Sequence, residues 1–182
     1  MAENLRVLHP KVDLMDQRAQ EIIDECKRQQ ESCSYTSTAL YSWLKEVRVY
    51  RVAFITLPIV FGSVASAKIL LKNPDYDWVT AVAALLAGLF PAIFKALDLD
   101  VSIKAMADSA HRFEGLRDRF RQASLIGATK TTDELEEEFK RLMDDMDDAR
   151  AASLAIPERH FKKAQGKIEG GHYGFGVDSP KK

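Results

Sequence analysis

The chain has 182 residues, 29% of them charged, a net charge of −1 and a mean hydropathy of −0.22. That balance excludes the basic field of a nucleic-acid binder, and no direct nucleic-acid binding is expected. The average conceals a partition: residues 52–97 hold only five charged side chains, while the rest is densely charged.

Residues 1–11 read as an irregular lead with Pro10 as a breaker. No apolar h-region opens the chain, so no cleaved signal peptide is expected. From Val12 the pattern is helical. Met15, Ala19, Ile22, Cys26, Gln29 and Cys33 alternate steps of four and three. Cys26 and Cys33 would lie about 10 Å apart along that helix, beyond disulfide reach, and read as reduced core or interface thiols. Ser32–Ser34 predicts fraying, because short hydroxyl side chains compete for backbone hydrogen bonds. A second helix is then expected from Thr36–Thr38, with Leu40, Trp43, Leu44, Val47 and Tyr50 as its apolar stripe. Nothing interrupts it before the next segment. Residues 1–51 are thus assigned to N-terminal cytosolic helices.

Residues 52–71, VAFITLPIVFGSVASAKILL, and 79–97 are two apolar runs separated by KNPDYDW. Each is long enough to cross about 30 Å of hydrocarbon at 1.5 Å per residue. Residues 52–97 therefore read as a transmembrane hairpin. Lys45, Arg48, Arg51, Lys95 and Lys104 flank one end, against Lys68 and Lys72 at the other, which puts both termini in the cytoplasm. Lys68 can snorkel outward, and Trp78 sits where an interfacial aromatic belt is expected.

Residues 98–125 read as a helical continuation of the second run. Leu99, Ile103, Met106, Ala110, Phe113, Leu116, Phe120 and Ala123 form its seam, and Gly127 is the expected C-cap. Thr131 and Glu134 make a capping box. The helix that follows carries a heptad seam at Leu135, Phe139, Leu142, Met146, Ala149 and Ser153 and stops before Pro157. Residues 98–156 are the C-terminal cytosolic helices, and glycine-rich residues 157–182 are expected to be a flexible tail.

Pro58 and Pro91 fall in the cytosolic halves of the two runs, where each removes a helical hydrogen bond and offers a flexible point. Gly62 and Ser66, like Ala84 and Gly88, lie four apart and suit close helix packing. They serve either the hairpin itself or self-association. Thr56, Ser63 and Thr80 are candidate pore-lining residues. Two helices enclose no channel, so a pore requires a homo-oligomer. No carboxylate lies in either run, which argues against an acidic ion relay. The acidic clusters at 136–138 and 144–148 lack EF-hand spacing, and the histidines lack zinc-ligand spacing. No HExxH, GxSxG, P-loop or CxxC pattern occurs. No catalytic residue, metal or cofactor is expected.

This organisation resembles the SLATT family, two-transmembrane effector domains that associate with SMODS and SLOG proteins in bacterial conflict systems. A basic helix (Trp43–Arg51) leads into the first run, and the loop is short. The second run leads into DLDVSIKAMADSAHRFEGLRDRFRQ. Within it, Ala110–Arg117 looks like the family's post-membrane helix, with Phe113 where tyrosine is more frequent. The resemblance implies an oligomeric effector of the bacterial inner membrane. It would act in anti-phage defence, forming a pore or disrupting the membrane when a cytosolic sensor or nucleotide signal triggers it. The expected fold is an all-α membrane protein, a two-helix transmembrane hairpin continuous with a cytosolic helical bundle or coiled coil. Two other readings stand beside it. One is a non-conducting membrane-anchored helical scaffold that recruits a cytosolic partner. The other is a soluble helical protein whose apolar segments form a buried interface.

Overall fold

The computed structural model describes the backbone of residues 5–71, 77–96 and 99–171, and the side chains of 17–67, 77–96, 101–127 and 129–171. Among these residues every regular element is a helix. The elements are α1 (Leu5–Leu71), α2 (Asp77–Ala96), α3 (Leu99–Ile126), a 3-10 turn (Gly127–Thr129), α4 (Thr132–Ala152) and α5 (Glu158–Glu169). Two compact units divide the chain. One comprises residues 1–42 and 106–182, the other residues 43–105.

Three differences from the sequence reading concern α1 and its neighbours. First, α1 is a single helix of 67 residues, with no break at Ser32–Thr38. The hydroxyls expected to end it bond backward within it: Thr36 Oγ1 donates to Ser32 O (2.9 Å) and Ser37 Oγ to Ser34 O (3.2 Å). Second, helix is present from Leu5 and passes through Pro10. A proline this near a helix start removes only one early backbone bond. Third, α2 starts at Asp77, so Trp78 lies inside the helix instead of in the loop. Residues 72–76 and 97–98 lie outside the described residues, and with them the expected continuity of the second run with α3.

In the first unit, α1, α3 and α4 share one core. Cys26, Cys33 and Leu40 from α1 are buried, as are Met106, Ala110, Phe113, Leu116, Phe120 and Ala123 from α3. From α4 come Leu135, Leu142, Met146 and Ala149. The α3 and α4 seams thus fall where their periodicity puts them. Ile23, not Ile22, is the buried isoleucine of α1. Arg18 meets Glu136 (2.6 Å), and Cys33 Sγ lies 3.5 Å from Met146 Sδ. These contacts advance together along both helices, so α1 and α4 run parallel. Arg119–Asp145 (3.0 Å) and Phe120–Phe139 (centroids 6.5 Å apart) advance oppositely, so α3 runs antiparallel to α4.

Gly127 does not cap α3 in a left-handed conformation. Of the described glycines only Gly171 has positive φ, 75°. Instead, a Cβ at Gly127 would come within 3.2 Å of Ile23 Cγ1 and Leu135 Cδ1, so the turn is pressed onto the core and a side chain there would have to push those neighbours aside by a few tenths of an ångström. Thr131 caps α4 as expected, with both halves of the box formed. The stretch expected as a flexible tail begins as α5, which buries His160 and Ala164. Phe161 stacks on Tyr35 of α1 at 6.2 Å. This amphipathic face outweighs the helix-weakening effect of Gly166. Residues 172–182 lie outside the described residues.

Candidate functional site

The second unit holds the two apolar runs. α2, and α1 up to Ala67, each contain a stretch long and apolar enough to cross a membrane. They pack on each other through aromatic rings. Phe90 of α2 sits between Phe54 (centroids 5.5 Å apart) and Phe61 (6.0 Å) of α1. Ala65 and Ala83 are buried in the same unit. The seven-residue spacing of Phe54 and Phe61, two helical turns, puts both rings on one face. That spacing is the sequence signal for this contact.

The opposite faces are open. Val52, Ile59 and Leu85 are 61%, 65% and 68% exposed, and only 6% of each apolar window is buried. A core helix of a water-soluble protein shows the reverse.

The residues expected to pack the runs lie mainly outside the aromatic seam. Ser66, Ala84 and Gly88 are exposed and Gly62 is half-buried. A Cβ added at Gly62 or Gly88 would meet nothing within 4 Å. The ring contacts between the two helices come instead from Phe54, Phe61 and Phe90. Pro58 is half-buried and Pro91 is exposed, and helix continues through both. Lacking N–H groups, they leave the Phe54 and Ala87 carbonyls without their usual helical donors.

Of the hydroxyl residues, Thr56, Ser63 and Ser66 are exposed. Ser63 Oγ donates to Ile59 O and Ser66 Oγ to Gly62 O, both at 2.8 Å. Each is satisfied within its own helix and needs no water. Thr80 is half-buried, and its hydroxyl oxygen is buried with no hydrogen-bond partner among the described residues. Its hydroxyl oxygen therefore faces inward. Arg48, Arg51, Trp78 and Lys95 are exposed, whereas the Lys68 side chain lies outside the described residues.

The first unit carries a polar cluster that the sequence reading missed. The Tyr41 hydroxyl donates to Glu114 Oε2 (2.8 Å) and lies 3.0 Å from His111 Nδ1. Burial first, then the Glu114 carboxylate, pushes the Tyr41 phenol up to about 12. No local pattern announces such a cluster, because its members lie about seventy positions apart. Burial likewise pushes the Cys26 and Cys33 thiols up to about 11. At neutral pH they are protonated and poor nucleophiles. A shallow groove of about 440 Å³ runs beside Arg112, Arg119, Asp145 and Asp148. It mixes both signs of charge, and Arg119 is already held by Asp145. Among the described residues no three His, Cys, Asp or Glu side chains are placed to share a metal ion.

Comparisons with protein-family models, with curated proteins and with solved structures return no match to this chain.

Proposed function

We propose that this chain is a bacterial inner-membrane protein whose two apolar helices cross the bilayer as a hairpin, with both termini cytoplasmic. We further propose that it acts as an oligomeric effector of the SLATT kind. A cytosolic sensor or signalling partner would trigger it to open or disrupt the membrane during phage infection, arresting growth or killing the cell.

One observation carries the membrane reading: the apolar residues of α1 and α2 point outward, with 6% of each window buried. In water each half-exposed Val, Leu or Ile forgoes on the order of 1 kcal/mol of burial. Over Val52, Ile55, Ile59, Val60, Val64, Val82, Leu85 and Leu89 that loss approaches the whole stability of a domain. Hydrocarbon removes it. The back-bonded hydroxyls of Ser63 and Ser66 suit the same medium, because each satisfies its own donor. The flanking cations favour the assigned orientation. The effector role and the defence context rest on the SLATT resemblance alone.

Carbonate washing of membranes tests the crossing. A spanning chain stays in the pellet, and release into the wash returns the apolar faces to a soluble interface between copies. Membrane potential and entry of an excluded dye test the effector role. Induced expression should collapse the first or admit the second.

The closed aromatic seam favours a second reading. A hairpin packed on its own Phe90 encloses no lumen and serves equally as a non-conducting anchor for the bundle. Replacing residues 52–97 with an unrelated hairpin separates the two, since a recruiting scaffold survives that exchange and a pore does not.

A further inference from the structure

We propose that the base of the hairpin, the end remote from residues 72–76, is a docking surface for the anionic headgroups of bilayer phospholipids, gripped by Lys45, Arg48 and Lys95. The proposal rests on the membrane reading above and adds the lipid class to it.

The aromatic contacts set the level of these cations. Phe90 lies beside Phe54 and Phe61, so its level corresponds to the stretch of α1 between them. At about 1.5 Å per residue, Lys95 stands about 7.5 Å from Phe90 toward the base. Arg48 and Lys45 stand about 6 and 10 Å beyond Val52, the first residue of the apolar run. A headgroup layer is roughly 5–8 Å thick on each side of the hydrocarbon, and these flexible side chains reach into it. Lys45 and Arg48 are three residues apart and share a face of α1.

All three cations are exposed, and among the described residues none has a carboxylate within ion-pair distance. Several cations of the first unit are instead held by carboxylates. Arg18 is held by Glu136, Arg119 by Asp145, Lys130 by Glu138 and Arg150 by Asp147. Glu46, the acidic residue between Lys45 and Arg48, accepts a hydrogen bond from the Tyr50 hydroxyl at 3.2 Å. Val49 and Val52, 67% and 61% exposed, lie beside the cations and offer apolar contact to the acyl chain below a bound headgroup. Exposed cations above an exposed apolar wall match an anionic phospholipid at both ends. A soluble anion would use only the cations.

The test uses the purified full chain in lipid nanodiscs, with spin-labelled phosphatidylglycerol and phosphatidylcholine compared as boundary lipids. The wild type should prefer the anionic lipid about fivefold, the scale expected for one basic residue near a charged surface. The triple variant Lys45→Gln, Arg48→Gln, Lys95→Gln should fall to near parity with unchanged helical content. The matched change of Lys162, Lys163 and Lys167 in α5 to Gln should keep the preference. Equal preference in wild type and triple variant overturns the proposal. So does its loss on adding inorganic phosphate at constant ionic strength, which would assign the cations to a soluble phosphate. Carbonate extraction of the same proteins keeps the two readings apart. A wild type retained in the membrane without lipid preference overturns the docking surface alone. A wild type released by carbonate overturns the hairpin and the docking surface together.

Discussion

Among the described side chains, residues 17–42 and 106–171 put most of their large apolar side chains inward and their charges outward, while residues 52–67 and 77–96 put many large apolar side chains outward and bury alanine. Cys33, Leu40, Phe120 and Leu135 in the first unit are fully buried. In the second, Ala65 and Ala83 are buried and Leu85 is 68% exposed. The same α-helical backbone therefore serves opposite solvents, and the distinguishing mark is the width of the apolar face. A four-three stripe leaves room for charge on the other faces, as in α3 and α4, whereas apolar residues all round leave none.

Truncating buried and exposed apolar residues gives the sharpest test of that contrast. Phe120→Ala should cost about 3–5 kcal/mol of bundle stability, measured by denaturant unfolding in mild detergent. Leu85→Ala should leave the same transition within about 0.5 kcal/mol. Equal losses would mean that Leu85 is buried in the working molecule. Next, Leu85→Arg should oppose insertion by about 2.5–3.5 kcal/mol, read as a smaller carbonate-resistant fraction. A soluble protein with an open face there would tolerate it. Within the bundle, Gly127→Ala should cost about 1 kcal/mol, because the new methyl presses on Ile23 and Leu135.

Thr131→Ala should cost a similar ~1 kcal/mol, through loss of the α4 cap. It should also flatten the acid limb of stability. The Thr131 hydroxyl, then its backbone N–H, hold the Glu134 carboxyl below its ordinary 4.5. A lowered carboxyl stabilises fully above its unfolded pKa and loses that contribution as pH falls through the folded one. The variant should therefore differ least from wild type at low pH. The smallest change tests burial directly. With thiols raised to about 11, roughly one in ten thousand is ionised at pH 7. Labelling of Cys26 and Cys33 should be slow until the bundle unfolds.

The α3 seam from Met106 to Ala123, the Thr131 cap and the two apolar runs were legible because each is written in neighbouring residues. The errors arose where a residue has two local outlets. Ser32, Ser34, Thr36 and Ser37 carry hydroxyls that either end a helix or bond back into it, and the packing of Cys33 and Leu40 selects the second outlet. Gly166 and Gly170 suggested a loose tail, yet His160, Phe161 and Ala164 supply enough of a face to fold α5 onto the bundle. At the candidate site the apolar character was plain, but its internal seam was not. Gly62 and Gly88 permit close approach without compelling it, whereas Phe90 has a ring that must be placed. The Tyr41–Glu114 contact joins residues 73 positions apart and leaves no local trace.

The bundle is interrupted in sequence, and this governs the order in which its parts become available. Residues 1–42 leave the ribosome first, and their partners begin at Met106, about sixty residues later. At about 5–20 residues per second, the Cys33–Leu40 face waits roughly 4 to 17 s for Phe113 and Phe120. Arg18 and Glu136 are 118 positions apart, so closing the bundle is a long-range and late event. The hairpin is complete before the bundle can form. Any stall or mistargeting within residues 43–105 therefore leaves half a core exposed to chaperones and proteases, although no core residue has changed.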